Sequence, residues 1–270
     1  MRDVSFGQYY PSFSAVHKLN PAIKILLSIA YIVAVFLVQP FYFLGFLACF
    51  TYIVLVTAVA KLPFFRVIKS IRAILFFVVL SAVIQVFVNK TGSPLWEGGF
   101  IYTGGLISAA YIVLRISMIV LGASLLTLTT SPVELADGIE FLLYPLKLIK
   151  FPVHEFALIM SIALRFIPTL LDETDRIIKA QKARGADFES KNLFKRAKAM
   201  IPVLIPLLIS SFRRADELAD AMDSRCYSGS KNRTKYKKLT FGWGDLIAAL
   251  FTAGLIVGVV FLNGVYGVTV

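Results

Sequence analysis

The stretch FALIMSIALRFIPTLLDETDRIIKAQKARGAD, Phe156 to Asp187, changes character at its midpoint. Its first sixteen residues carry one charge, Arg165, and its last sixteen are rich in acids and bases. A helix needs about twenty apolar residues to cross a bilayer. The apolar half is too short for that, and Pro168 breaks it further. A second stretch repeats the pattern. MIPVLIPLLISSF, Met200 to Phe212, holds two prolines in thirteen residues and runs into RRADELADAMDSRCYS. Both read as long helices lying under a membrane domain, partly at its interface, with charged ends that project away.

The rest of the chain supplies the membrane domain. Of 270 residues, 58% are hydrophobic and only 16% charged, with a mean hydropathy of +0.78. That excess marks an integral membrane protein. The two cysteines, Cys49 and Cys226, sit in different kinds of segment and imply neither a disulfide framework nor a metal site. The opening MRDVSFGQYY is not a cleavable signal, so the first apolar run is expected to stay as an anchor.

Five runs qualify as spans: Ala22–Val38, Phe41–Ala60, Ala73–Val88, Leu106–Thr129 and Leu246–Val270. Pro40 makes a tight turn between the first two. Lys/Arg asymmetry sets the orientation. With the N-terminus cytoplasmic, 26 of 28 basic residues fall inside or at the inner edge, including 19 between Ser131 and Thr240. The C-terminus then lies outside. The formal charge of +12 is therefore a topology signal and does not point to nucleic acid. The chain divides into 1–130 with four spans, 131–240 as a cytoplasmic-side helical region, and 241–270 with the last span.

The 131–240 region opens with Ser131-Pro132-Val133-Glu134, a capping-box signature. Its first helix is expected to reach about Tyr144, its second to run from about Val153 to Ala183, and its third from about Asn192 to Ser224. The last two resemble each other. Ile167-Pro168 leads to Ala183-Arg184-Gly185, and Ile205-Pro206 leads to Ser224-Arg225-Cys226.

Taken alone, Ala183-Arg184-Gly185 reads as a helix stop, with glycine at the left-handed position and arginine suiting the helix dipole. Cys226 is a poorer stop than Gly185, yet the second triplet keeps its arginine between small residues. That favours docking of two helix ends into acidic grooves, because a guanidinium pairs bidentately with carboxylates. In RRADELADAMDSR the helical period places Ala215, Leu218, Ala219 and Met222 on one face, with Arg214, Asp216, Asp220 and Asp223 largely elsewhere.

Together HKLNPAIK, LRFIPTLLDE, AQKARGAD, IPLL and RRADELADAMDSRCY resemble the transmembrane T component of energy-coupling factor (ECF) transporters. The resemblance spans most of the chain and is strongest over residues 131–227. It implies an all-α integral membrane protein with about five transmembrane helices and three long coupling helices, in a prokaryotic cell membrane. It implies two partner ATPases of the ATP-binding-cassette type and one hydrophobic substrate-binding membrane subunit, the S component. It also implies uptake of vitamins or other micronutrients, with no cofactor. By resemblance, Ala183, Arg184 and Gly185 form one ATPase-docking motif, and Ser224, Arg225 and Cys226 the other. The second departs from Ala-Arg-Gly at both flanks.

The remaining constellations have structural readings. Arg115 lies mid-span and needs a partner, Glu97 or a backbone carbonyl. In HKLNPAIK, Asn20-Pro21 is a helix start. His17 and His154 are too isolated for a metal or a catalytic pair. Arg165 is expected to pair with Glu155 or Asp172. Pro168, Pro202 and Pro206 are kink makers. The glycine-rich GSPLWEGGFIYTGG, Gly92–Gly105, lacks the order of a phosphate loop, and KNRTKYKK, Lys231–Lys238, holds orientation and touches anionic lipid. No Walker A motif occurs, so ATP hydrolysis is assigned to partners. The leading function is an energy-coupling scaffold. The alternatives are a permease that binds solute itself, which the scarcity of intramembrane polar groups disfavours, and a membrane enzyme.

Overall fold

The structure, a computed structural model, describes residues 9–39, 43–72, 74–93, 102–149, 152–188, 190, 192–227, 229 and 240–266. The elements among them are helices: α1 Pro21–Leu37, α2 Phe43–Val59, α3 Phe64–Arg72, α4 Leu75–Val88, α5 Thr103–Thr129, α6 Pro132–Leu143, α7 Val153–Ala183, α8 Leu193–Asp223 and α9 Trp243–Tyr266. A 3-10 turn, Tyr144–Ile149, follows α6 and carries Pro145. The chain divides into two compact units, one of Gly7–Leu142 with Leu239–Val270, the other built around Leu143–Lys238.

In the first unit the five expected spans correspond to α1, α2, α4, α5 and α9. Two of them, α5 and α9, are long and apolar enough to cross a membrane by themselves, while α1 and α2 are shorter apolar helices. The third expected span begins with a surprise. The basic segment before it is itself a helix, α3, and α3 with α4 passes as one span bent by 59°. α9 starts three residues earlier than expected, at Trp243, because Asp245 Oδ2 accepts the Gly242 N–H at 2.9 Å and closes its first turn.

α5 is the centre of this unit, packing against α1, α2, α3 and α4. The core joins Tyr31, Val35, Phe46, Cys49, Ile53, Tyr111, Met118, Leu121, Leu125 and Leu128. Gly122 lets α1 approach: a Cβ there would stand 2.3 Å from the Tyr31 ring. Tyr31, Tyr52 and Phe251 stack in series at 5.4 and 5.1 Å, and the Tyr52 hydroxyl meets Thr252 Oγ1 at 2.8 Å. The outer faces stay apolar, with Val33, Leu47, Phe76, Phe77, Leu250 and Phe261 exposed, as a lipid-facing surface requires.

The HKLNPAIK segment fastens one end of this unit. Asn20 caps α1, its side-chain oxygen accepting the Ala22 N–H at 3.0 Å, and Pro21 takes the first helical position. The Asn20 N–H donates to Asp245 Oδ1 at 2.9 Å. Lys24, buried, donates to the carbonyls of His17 at 3.0 Å and Thr129 at 3.2 Å, so a charge at the start of α1 satisfies the end of α5. The Ser131–Glu134 capping box is present, with reciprocal bonds of 3.2 and 3.3 Å.

Arg115 uses backbone carbonyls, one of its two expected partners; Glu97 lies outside the described residues. The guanidinium donates to Val38 O at 2.7 Å, to Phe36 O at 3.4 Å and to the Tyr111 hydroxyl, which itself donates to Val38 O. Asn263 donates to the intervening Leu37 O at 2.6 Å. The cause is the length of α1. Its seventeen residues rise about 25 Å, short of a hydrocarbon core of about 30 Å. Its last carbonyls end where water is scarce, and side chains from α5 and α9 supply the donors.

Candidate coupling site at two helix ends

α7 and α8 form the second unit with the 3-10 turn. Each has 31 residues, about 46 Å of helix. Their limits fall within one residue of those expected. Pro168 lies inside α7, and Pro202 and Pro206 inside α8. The Asn192 side chain caps α8 by accepting the Phe194 N–H at 3.0 Å.

Among the described residues, the two helices are joined by an ion pair of Glu173 with Arg214 and by the Ser210 hydroxyl donating to Glu173 Oε1 at 2.8 Å. Its register is informative. Glu173 stands ten residues before the end of α7, whereas Arg214 stands twenty-one residues into α8. In an unstaggered hairpin, paired residues stand equally far from the connection, so α7 and α8 meet here out of that register. Beyond it each continues to its motif arginine, and both arms are eleven residues long: 184 less 173, and 225 less 214. Each arm spans about 16 Å and contains no proline.

The arms end in the same way. At α7 the Gly185 N–H donates to Lys182 O at 3.0 Å and the Ala186 N–H to Gln181 O at 3.0 Å, with Gly185 at φ +86°. At α8 the Cys226 N–H donates to Asp223 O at 2.9 Å and the Tyr227 N–H to Met222 O at 3.0 Å, with Cys226 at φ +56°. Both are Schellman closures. The sequence contrast between a glycine stop and a cysteine that stops less well therefore does not separate stopping from docking. Cys226 accepts the left-handed conformation, at a cost of about 1 kcal/mol, in return for the same two bonds. Arg184 and Arg225 occupy equivalent positions, the last before the reversal. All six motif residues, Ala183, Arg184, Gly185, Ser224, Arg225 and Cys226, are exposed.

Two expectations about the helix faces change. Arg214 does not lie away from Leu218 and Met222; it shares their partly buried stripe, while Ala215 and Ala219 are exposed. The pull of Glu173 on α7 outweighs the small gain from burying an alanine. Arg165 is exposed on α7, and the ion pair between the helices uses Arg214 and Glu173 instead. A signal for the pair was present, since LLDE and SFRR precede their arginines by the same interval.

A family model described as Cobalt transport protein, CbiQ, matches residues 13–236. The chain is 49% identical over 253 residues to the energy-coupling factor transporter transmembrane protein EcfT of Clostridium kluyveri, covering 93% of each chain. It is 47% identical over 268 residues to EcfT of Ruminiclostridium cellulolyticum, covering 98% of this chain and 99% of that one. With EcfT of Bacillus subtilis the identity is 42% over 247 residues, 91% and 92% of the two chains.

The chain belongs to the EcfT family.

As an EcfT protein it is the transmembrane coupling and scaffold subunit of a multisubunit ECF transporter. The apolar exterior and the paired long helices suit that role. A permease binding solute on its own is not favoured.

Proposed function

We propose that Arg184 and Arg225 are the docking points of two ATPases of the ATP-binding-cassette type, and that α7 and α8 carry the movement of those ATPases to a separate hydrophobic S component. Imported vitamins or other micronutrients bind that component. The reading rests above all on one observation: two helix ends with the same closure present exposed arginines at equal sequence distance from a shared ion pair. An arginine fixed beside a rigid helix stop is a pre-organised fork for a carboxylate-lined groove. The Glu173–Arg214 contact between the two arms then couples a change in separation of the docked ends to the packing of α7 on α8.

Residues 131–240 are the coupling region in this reading, and 1–130 with 241–270 the membrane part. The N-terminus and the coupling region lie in the cytoplasm, where ATP is available, and the C-terminus lies outside. ATP hydrolysis belongs to the partners.

The test is co-purification. The Arg184→Ala/Arg225→Ala protein is expected to lose both ATPases on detergent extraction while keeping the S component and its own thermal stability. Retention of both ATPases overturns the docking assignment. Specific binding of a vitamin by the isolated chain overturns the placing of substrate on another subunit.

A further inference from the structure

α2 ends in a third Schellman closure. The Lys61 N–H donates to Ala58 O at 3.0 Å and the Leu62 N–H to Thr57 O at 3.2 Å. The left-handed residue here is Lys61, at φ +53°. A lysine at a position that favours glycine keeps a long cationic side chain on the outside of the turn, which leads through Pro63 into α3. The turn is held in place, since the Ser12 hydroxyl donates to Ala60 O at 3.0 Å.

α3 reads FFRVIKSIR, Phe64–Arg72. Val67 is fully buried and packs, with Ile71, against the core. Phe65, Lys69 and Arg72 follow at intervals of four and three residues and so share the face opposite Val67. Phe65 is 81% exposed, and Lys61, Arg66, Lys69 and Arg72 are exposed as well. Arg66 lies over the Tyr10 ring at 4.4 Å, and Tyr10 is held by its N–H bond to Leu128 O at 3.0 Å. Among the described residues none of the four cations pairs with a carboxylate, and the sequence has no acid between Asp3 and Glu97.

Position decides what such a face meets. Only two residues separate α3 from α4, whose Phe76, Phe77, Val79, Leu80, Val83 and Ile84 are all exposed and apolar. α3 is bent 59° from α4, and its cations keep it at the surface end of that bent span. An exposed phenylalanine among cations suits the headgroup boundary, where the ring enters the acyl edge and the cations meet phosphate. We propose that α3 and Lys61 form a binding site for anionic phospholipid headgroups, with Phe65 as the apolar anchor and Lys61, Lys69 and Arg72 as phosphate ligands. Arg72 offers a planar fork to the phosphodiester, and the two lysines act as point charges. This goes beyond the docking of ATPases and does not depend on it.

The test uses the full chain reconstituted in bilayers of phosphatidylglycerol and phosphatidylcholine in equal amounts, then extracted, with the retained lipid measured by native mass spectrometry. The unaltered chain retains phosphatidylglycerol preferentially. Lys69→Gln/Arg72→Gln lowers that preference at least about fivefold, and Phe65→Ser lowers the total lipid retained. The exchange Lys69→Arg/Arg72→Lys, which keeps both charges, preserves the preference and shows that the face tolerates substitution. Arg176→Gln/Lys179→Gln removes the same charge from exposed positions of α7 and leaves the ratio unchanged. An unchanged ratio in Lys69→Gln/Arg72→Gln overturns the proposal, as does an equal fall in the Arg176/Lys179 control. Loss of a partner subunit with lipid retention intact also overturns it, and makes the face a protein contact.

Discussion

Glu173 of α7 and Arg214 of α8 form an ion pair that joins the two helices, and each stands eleven residues before the arginine of its own motif. Both side chains are about one-third exposed or less, at 26% and 32%, so solvent screens the pair in part. Its contribution to stability is about 1 kcal/mol or less. Its greater effect is on register, because slipping one helix by a turn would make the two arms unequal.

Glu173→Gln is therefore expected to change melting temperature little and to cut transport severalfold, with the ATPases still bound. Reversing the pair as Glu173→Arg/Arg214→Glu is expected to recover much of the loss. A transport assay in proteoliposomes alongside a co-purification gel checks both halves. If Glu173→Gln releases the ATPases, the pair acts at docking and has no separate part in transmission.

The shared closure of α7 and α8 gives a prediction of opposite sign at equivalent positions. Cys226→Gly removes a side chain from a left-handed residue and is expected to stabilise the end of α8 by about 1 kcal/mol. Gly185→Ala is expected to destabilise the end of α7 by a similar amount. Open space surrounds Gly185, so the penalty there comes from φ alone. Hydrogen exchange at the amides of Gly185, Ala186, Cys226 and Tyr227 reads the two effects directly. Faster exchange in Cys226→Gly would contradict the closure.

Arg115 is a structural donor at the end of α1, and its removal leaves the carbonyls of Phe36 and Val38 short of partners. Arg115→Leu is expected to cost about 2–3 kcal/mol and to lower the melting temperature in detergent by several degrees. Tyr111→Phe, which leaves the arginine in place, is expected to cost less. Equal melting of Arg115→Leu and the unaltered chain would remove this role.

Most of the architecture was legible because its signals are local. The apolar runs, the Asn20-Pro21 start, the Ser131–Glu134 capping box and the Asn192 cap each lie within a few residues of what they specify. The limits of α7 and α8 followed from proline, cap and charge in the same way. What escaped the sequence depends on distant partners. The mark of the Glu173–Arg214 pair is only the equal interval from each residue to its motif arginine, and nothing near Asn20 points to Asp245. α3 was hidden because its cations were read for topology, which is a sum over residues and takes no account of period. Cys226 was misjudged because propensity alone was weighed, without the two bonds that a left-handed residue makes possible there.

The bond from Asn20 to Asp245 also bears on how the molecule is made. Its partners are separated by 225 residues, nearly the whole chain. At synthesis rates of about 5–20 residues per second, α1 waits roughly ten to forty-five seconds for the carboxylate that closes its entrance. During that interval Lys24 awaits the carbonyl of Thr129 as well, for about half as long. The first helix to be inserted is thus among the last to be locked, and its clamp closes only on a chain that has reached α9. A ribosome that stops short leaves the N-terminal clamp open, and with it a mark by which an incomplete subunit differs from a finished one.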